Sequence, residues 1–184
     1  MATRSTISLK IAESDKGKVF HFDESKLPIL EEVGKKVTCM NDFIDKVGDV
    51  KLEKDYLTIY HHWDGYPEGV GDTLTALYDN YETILNLLCG GDASSINGME
   101  ICQYCAWRGE AWNDAYGGVQ PKQSDTEPSV TEEYAYLFKD GKWFFKGYEA
   151  KEWTDLKEYL LSNSDEDEWK RMGIAKKLSP FKFY

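Results

Sequence analysis

Basic residues are scarce in this chain: 22 Lys and Arg stand against 33 Asp and Glu, for a formal net charge of -11. Nucleic-acid affinity rests on clustered Lys and Arg that displace counterions from phosphates. The lysines here are dispersed, which excludes a nucleic-acid partner held by direct basic contacts. Long apolar runs are also missing, since none approaches the roughly 18 residues that cross a bilayer. Met1-Ala2-Thr3-Arg4-Ser5 leads into an alternating strand, not the apolar centre of a signal peptide. No membrane partner and a cytoplasmic location are therefore expected. Cysteine is limited to Cys39, Cys89, Cys102 and Cys105, and without an export signal these are expected to be reduced. Cys102-Gln103-Tyr104-Cys105 has zinc-knuckle spacing, but a structural zinc takes four ligands, and a strand would point these two thiols to opposite faces. No metal and no cofactor is expected.

What is present is enough for one core. At 184 residues and 41% hydrophobic, the chain is expected to form a single domain. Its most information-rich stretch runs from Tyr56 to Ser95. Leu57 and Ile59 alternate with Tyr56, Thr58 and Tyr60, a period of two that predicts a strand. Continued, it puts His61 on the Leu57/Ile59 side and His62 on the Tyr60 side. Beyond the loop, Val70, Leu74, Leu77, Tyr78, Tyr81, Ile84, Leu85 and Leu88 recur at helical spacing, with Asp79-Asn80 placed to split the helix in two. Gly90-Gly91 supplies a left-handed stop, and Asp92-Ala93-Ser94-Ser95 reads as a turn or a fresh N-cap.

Three segments carry a resemblance: Arg4-Ser5-Thr6-Ile7, then His62-Trp63-Asp64-Gly65-Tyr66-Pro67-Glu68-Gly69-Val70-Gly71, then Gly91-Asp92-Ala93-Ser94-Ser95. Together they resemble a family of small uncharacterised proteins carried by bacteriophages and bacterial mobile elements. In such relatives the first strands lie close to the His-Trp-Asp-Gly-Tyr motif, whereas here residues 24 to 54 intervene as an insertion. The resemblance implies a phage or mobile-element origin and brings no activity, cofactor or catalytic residue with it.

The remaining pattern predicts an α+β fold with a mostly antiparallel sheet. Ile7, Leu9 and Ile11 alternate as a first strand, and Val19-Phe20-His21-Phe22 is expected to return beside it across Ser14-Asp15-Lys16-Gly17. Within the insertion, Leu27-Pro28 opens a helix through Leu30 and Val33, and Phe43, Ile44 and Val47 mark another, stopped by Gly48. Further strands are expected near 56 to 62, 99 to 107, 132 to 138 and 143 to 148. The last two are joined by Asp140-Gly141, the pair that a type I′ turn requires. That register sets Phe138 opposite Trp143, Leu137 opposite Phe144 and Tyr136 opposite Phe145, so both faces carry apolar pairs. Helices are expected near 70 to 88, 151 to 162 and 165 to 176, the last capped by Ser164. Residues 109 to 130 form a long loop, a length that marks a functional segment or a disordered one.

The candidate functional surface is the central loop. Gly65, Gly69 and Gly71 suggest a phosphate cradle, but Glu68 and Asp72 occupy the place of an anion, and neither the P-loop nor the dinucleotide spacing is present. Two function classes remain. In the first, a non-enzymatic interaction module binds a host protein through His62, Trp63, Asp64, Tyr66, Glu68 and the more distant Arg108, with Trp and Tyr as the usual interface anchors. Trp112 or Tyr116 would add to it from the long loop. In the second, a small-molecule binder or hydrolase uses His62, Asp64 and Glu68 as an acid/base group in a cleft, with residues 109 to 130 as a lid. The net acidity serves solubility, attraction to a basic partner or nucleic-acid mimicry.

Overall fold

A computed structural model describes residues 2 to 28, 47 to 96 and 103 to 163. The predicted helix near 165 to 176 with its Ser164 cap, both helices of the insertion, Cys39, Cys102 and the start of the 99 to 107 strand lie outside these residues. The described chain contains ten strands. They are β1 (Ser5–Lys10), β2 (Val19–Phe20), β3 (Val50–Lys51), β4 (Tyr56–His61), β5 (Ala93–Ser95), β6 (Gln103–Tyr104), β7 (Lys122–Ser124), β8 (Tyr134–Lys139), β9 (Lys142–Gly147) and β10 (Thr154–Asp155). Three α-helices accompany them: α1 (Asp72–Leu77), α2 (Tyr81–Cys89) and α3 (Leu156–Asn163).

Eight strands form one mixed sheet in the order β10-β9-β8-β1-β4-β5-β6, with β7 also on β4. The α+β class holds, but the sheet is less antiparallel than the sequence pattern suggests: β1 runs parallel to β8, and β4 runs parallel to β5. The expected hairpin between β1 and residues 19 to 22 does not form. Both edges of β1 are taken, by β4 and β8, while β2 pairs with β3 in a separate two-stranded sheet. The Gly17 amide starts that detour by donating to the carbonyl of Leu52 at 2.6 Å.

Alternation builds one apolar face. Ile7 and Leu9 of β1 lie opposite Ile59 and Leu57 of β4 and beside Tyr136 and Phe138 of β8. These six side chains share a core cluster with Leu74, Ile84, Leu87, Leu88 and Leu156 from the helices. Complete burial of a Leu or Ile contributes roughly 1.5–3 kcal/mol, so this face supplies much of the stability. The other face of β1 and β4 is polar, with Ser8 Oγ and Thr58 Oγ1 paired at 2.7 Å.

The long helical pattern divides where Asp79-Asn80 predicts. Asn80 caps α2, its side-chain oxygen accepting from the Thr83 amide at 2.9 Å, and the buried Trp143 indole donates to the Tyr78 carbonyl at the break. After α2, Gly91 takes φ +86, the left-handed stop, and a Cβ there would meet the Val119 carbonyl at 2.4 Å. Asp140 and Gly141 have φ 52 and 75, and all three expected cross-strand pairs of the β8–β9 hairpin are found. Two expectations need correction. Ala93 to Ser95 form a strand, because Ala93 aligns beside His61 at the end of β4. Strand β6 ends at Tyr104, because residues 106 to 108 coil into a 3₁₀ turn ended by Gly109 at φ 90.

Candidate functional site

The central loop is held from several sides. The Gly65 amide donates to the Thr3 carbonyl at 2.8 Å, and the Val70 amide to the Asp64 carbonyl at 2.8 Å. The buried Tyr136 hydroxyl donates to the Gly65 carbonyl at 2.7 Å. A Cβ on Gly65 would lie 2.7 Å from the Thr3 oxygen, so this glycine serves close backbone approach. Pro67 then opens a π-helical turn, Pro67–Gly71, that runs into α1. On this braced loop two rings remain partly in solvent, Trp63 at 49% and Tyr66 at 39% exposure.

The two histidines separate as the alternation predicts. His61 points to the apolar face and is fully buried. Its Nε2 accepts from the Ile96 amide at 3.3 Å, which places the ring proton on Nδ1, 3.1 Å from Ser5 Oγ. Burial pushes its pKa down to about 3, with neighbouring His62 adding to the shift. His61 is a neutral structural residue. His62 lies on the opposite side, its Nδ1 2.6 Å from the Tyr60 hydroxyl, its ring edge-on to Trp63 with centroids 4.7 Å apart.

His62, Trp63 and Tyr60 form one wall of an open cleft of about 280 Å³. Asp92 and Ser94 of the β5 segment line it as well, and Cys105, Arg108, Glu110 and Val119 complete it. The cleft therefore gathers three of the residues proposed from sequence, His62, Trp63 and Arg108. Asp64, Tyr66 and Glu68 are not among its lining residues. Glu68 faces α3 instead, where, after burial, it is the largest influence raising the Tyr159 phenol. The His62, Asp64 and Glu68 set is thus divided between two surroundings.

Asp92 is the residue that sequence reasoning missed. Its Oδ1 accepts from the Tyr60 amide at 2.9 Å, and burial raises its pKa to about 6, against the opposing pull of that hydrogen bond and of Lys122. In the sequence it stands in a short polar stretch after Gly90-Gly91, which reads as a turn. Cys105 carries a free buried thiol, held up to about 11 chiefly by burial although Arg108 donates to its Sγ at 3.4 Å. At neutral pH it is a thiol, a poor nucleophile. Among the described residues no three His, Cys, Asp or Glu side chains are grouped to hold a metal ion, and no helix is long and apolar enough to cross a membrane.

Residues 109 to 124 are tied down along their length. Val119 and Gln120 amides donate to the carbonyls of Ala111 and Trp112, and the Asp92 amide donates to Val119. Trp112 packs against the core cluster, so it is a structural ring, whereas Tyr116 stands 97% exposed. The Lys122 ammonium donates to the carbonyls of Gly117, Gly118 and Gln120 at 3.3, 2.9 and 3.0 Å. Two residues of this segment, Glu110 and Val119, line the cleft. Comparison with known protein families, with curated proteins and with solved structures gives no match in any of the three.

Proposed function

We propose that this chain is a non-catalytic protein-interaction module of phage or mobile-element origin, whose target is a host protein and whose recognition surface joins the exposed rings of the central loop to the adjoining cleft. The observation that supports it is the pairing of a braced backbone with solvent-facing Trp63 and Tyr66. Backbone and hydroxyl hydrogen bonds fix the loop, yet neither ring is used to fill the core. Rigid aromatic anchors beside a concave surface are what binding hot spots are built from.

Affinity capture from host lysate, with the captured protein identified and rebound in purified form, tests this. Trp63→Ala with Tyr66→Ala should abolish rebinding while the unfolding midpoint in urea stays within error. A loss of roughly 3–5 kcal/mol of stability per ring would make them core residues and refute the reading.

A second reading, a small-molecule site or hydrolase, draws support from the cleft itself, where Asp92, its pKa raised by burial to about 6, and His62 are both lining residues. Its acid/base group would be Asp92 with His62, in place of Asp64 and Glu68. Turnover of a substrate that is lost in Asp92→Asn would favour it over the interaction module.

A further inference from the structure

The charges lining the cleft are unequal. Arg108 donates from Nη2 to Glu110 Oε2 at 3.0 Å and to Cys105 Sγ at 3.4 Å. Glu110 therefore has a cation beside it, in a pair about half exposed on both sides. Asp92 differs. Its Oδ1 has the Tyr60 amide, but among the described residues it forms no ion pair. The basic side chain that acts on it, Lys122, is held by three carbonyl oxygens instead of pairing with it, so its charge reduces the cost of ionising Asp92 without cancelling it. A partly buried carboxylate without a bound cation is costly to keep ionised, and an arriving cation recovers that cost.

The rest of the wall suits the same guest. Trp63 is half exposed and oriented by the edge-on His62 ring, and an indole face attracts cations. A space of about 280 Å³ falls just below the range of ligand pockets, which span roughly 300–1,000 Å³, and so fits one long side chain better than a nucleotide. A net charge of -11 draws basic surfaces toward the molecule.

From this charge and shape we propose that the cleft receives an arginine side chain of the partner protein, its guanidinium paired with Asp92 and lying against Trp63. Arginine is preferred to lysine because its planar fork can meet a carboxylate with two donors while stacking on a ring. This inference rests on the interaction-module reading and names what its partner presents.

The test uses the full chain, labelled for NMR and titrated with Nα-acetyl-arginine amide or with its neutral isostere Nα-acetyl-citrulline amide. Arginine should shift the amide signals of Tyr60, Trp63, Ser94 and Arg108 in a saturable way, and more weakly in 0.5 M than in 0.05 M salt. Citrulline at equal concentration should shift none of them. Asp92→Asn, which keeps the oxygen that accepts from Tyr60, should weaken arginine binding at least tenfold with the rest of its spectrum unchanged. Equal shifts from both probes, no shifts from either, or undiminished binding to Asp92→Asn would overturn the proposal. If the purified partner still needs Trp63 and Tyr66 while the arginine probe does nothing, the arginine assignment falls and the interaction surface stands.

Discussion

Replacing Asp92 with Asn should expose an acid sensitivity that the native chain conceals. A fully buried group and a partly buried one titrate in the same window with opposite signs. His61 has its folded pKa at about 3, below its ordinary 6.5, so the unfolded chain takes up the extra proton as pH falls. Its contribution is complete above about pH 6.5 and is lost progressively toward pH 3. Asp92, raised from 3.8 to about 6, is protonated first in the folded chain, so stability is gained as pH falls from about 6 toward 4. Between pH 7.5 and 5, His61 alone removes about 2 kcal/mol, at about 1.4 kcal/mol for each pH unit below 6.5. Asp92 returns about 1 kcal/mol once the part of its carboxylate reached by water is discounted. The native chain should therefore lose only about 1 kcal/mol over that interval, Asp92→Asn about 2 kcal/mol, and His61→Gln should gain stability on acidification. Urea unfolding followed by tryptophan fluorescence at the two pH values, with m-values compared to exclude a change in the unfolded state, measures all three. An acid-induced loss in Asp92→Asn no larger than in the native chain would refute the opposition of the two groups.

Other outcomes follow from single contacts. Gly90→Ala should cost about 3 kcal/mol or more in a denaturant titration, because its Cβ would lie 2.3 Å from the ring of Tyr104, which is fully buried. Tyr136→Phe removes the hydroxyl that holds the Gly65 carbonyl at 2.7 Å; about 1–2 kcal/mol should be lost, with faster hydrogen exchange at Val70 as the sign that the central loop has loosened. In Lys122→Met, global stability should fall by about 1 kcal/mol or less. The amides of Val119 and Gln120 should nevertheless exchange about tenfold faster as the carbonyl cage around the ammonium is lost, while unchanged exchange would show that the cage does not hold the cleft wall.

The parts of this structure that could be read from sequence are those whose causes are local. Asp140-Gly141 specifies its own turn, and with two residues between strands the register of Phe138, Leu137 and Tyr136 follows at once. The same holds for Asp79-Asn80 as the break between α1 and α2 and for the opposed faces of His61 and His62. The parallel pairing of β1 with β8 was not legible, because it joins residues about 129 positions apart and neither strand states a preferred partner. Val19-Phe20 reads as the return of a hairpin only while residues 50 and 51 are left out of account. At the site, His62, Trp63 and Arg108 stood out as chemically unusual residues near loops. Asp92 resembled an ordinary turn residue until the fold placed it beside Tyr60. Asp64 and Glu68 looked like partners of His62 through proximity in the chain, yet the π-helical turn carries Glu68 toward α3.

The central position of β1 imposes an order on biosynthesis. As the chain leaves the ribosome, β1 emerges before its partners and gains its β4 neighbour some fifty residues later, but its opposite edge stays open until Tyr134 to Phe138 arrive. Until then the Ile7 and Leu9 strand presents unpaired amides and carbonyls along that edge to any other extended segment. Long-range strand closure of this kind is slow compared with helix or hairpin formation. Production yield should consequently depend on temperature and chaperone supply more than final stability would suggest, and chains arrested before β8 should be aggregation-prone or captured by holding chaperones.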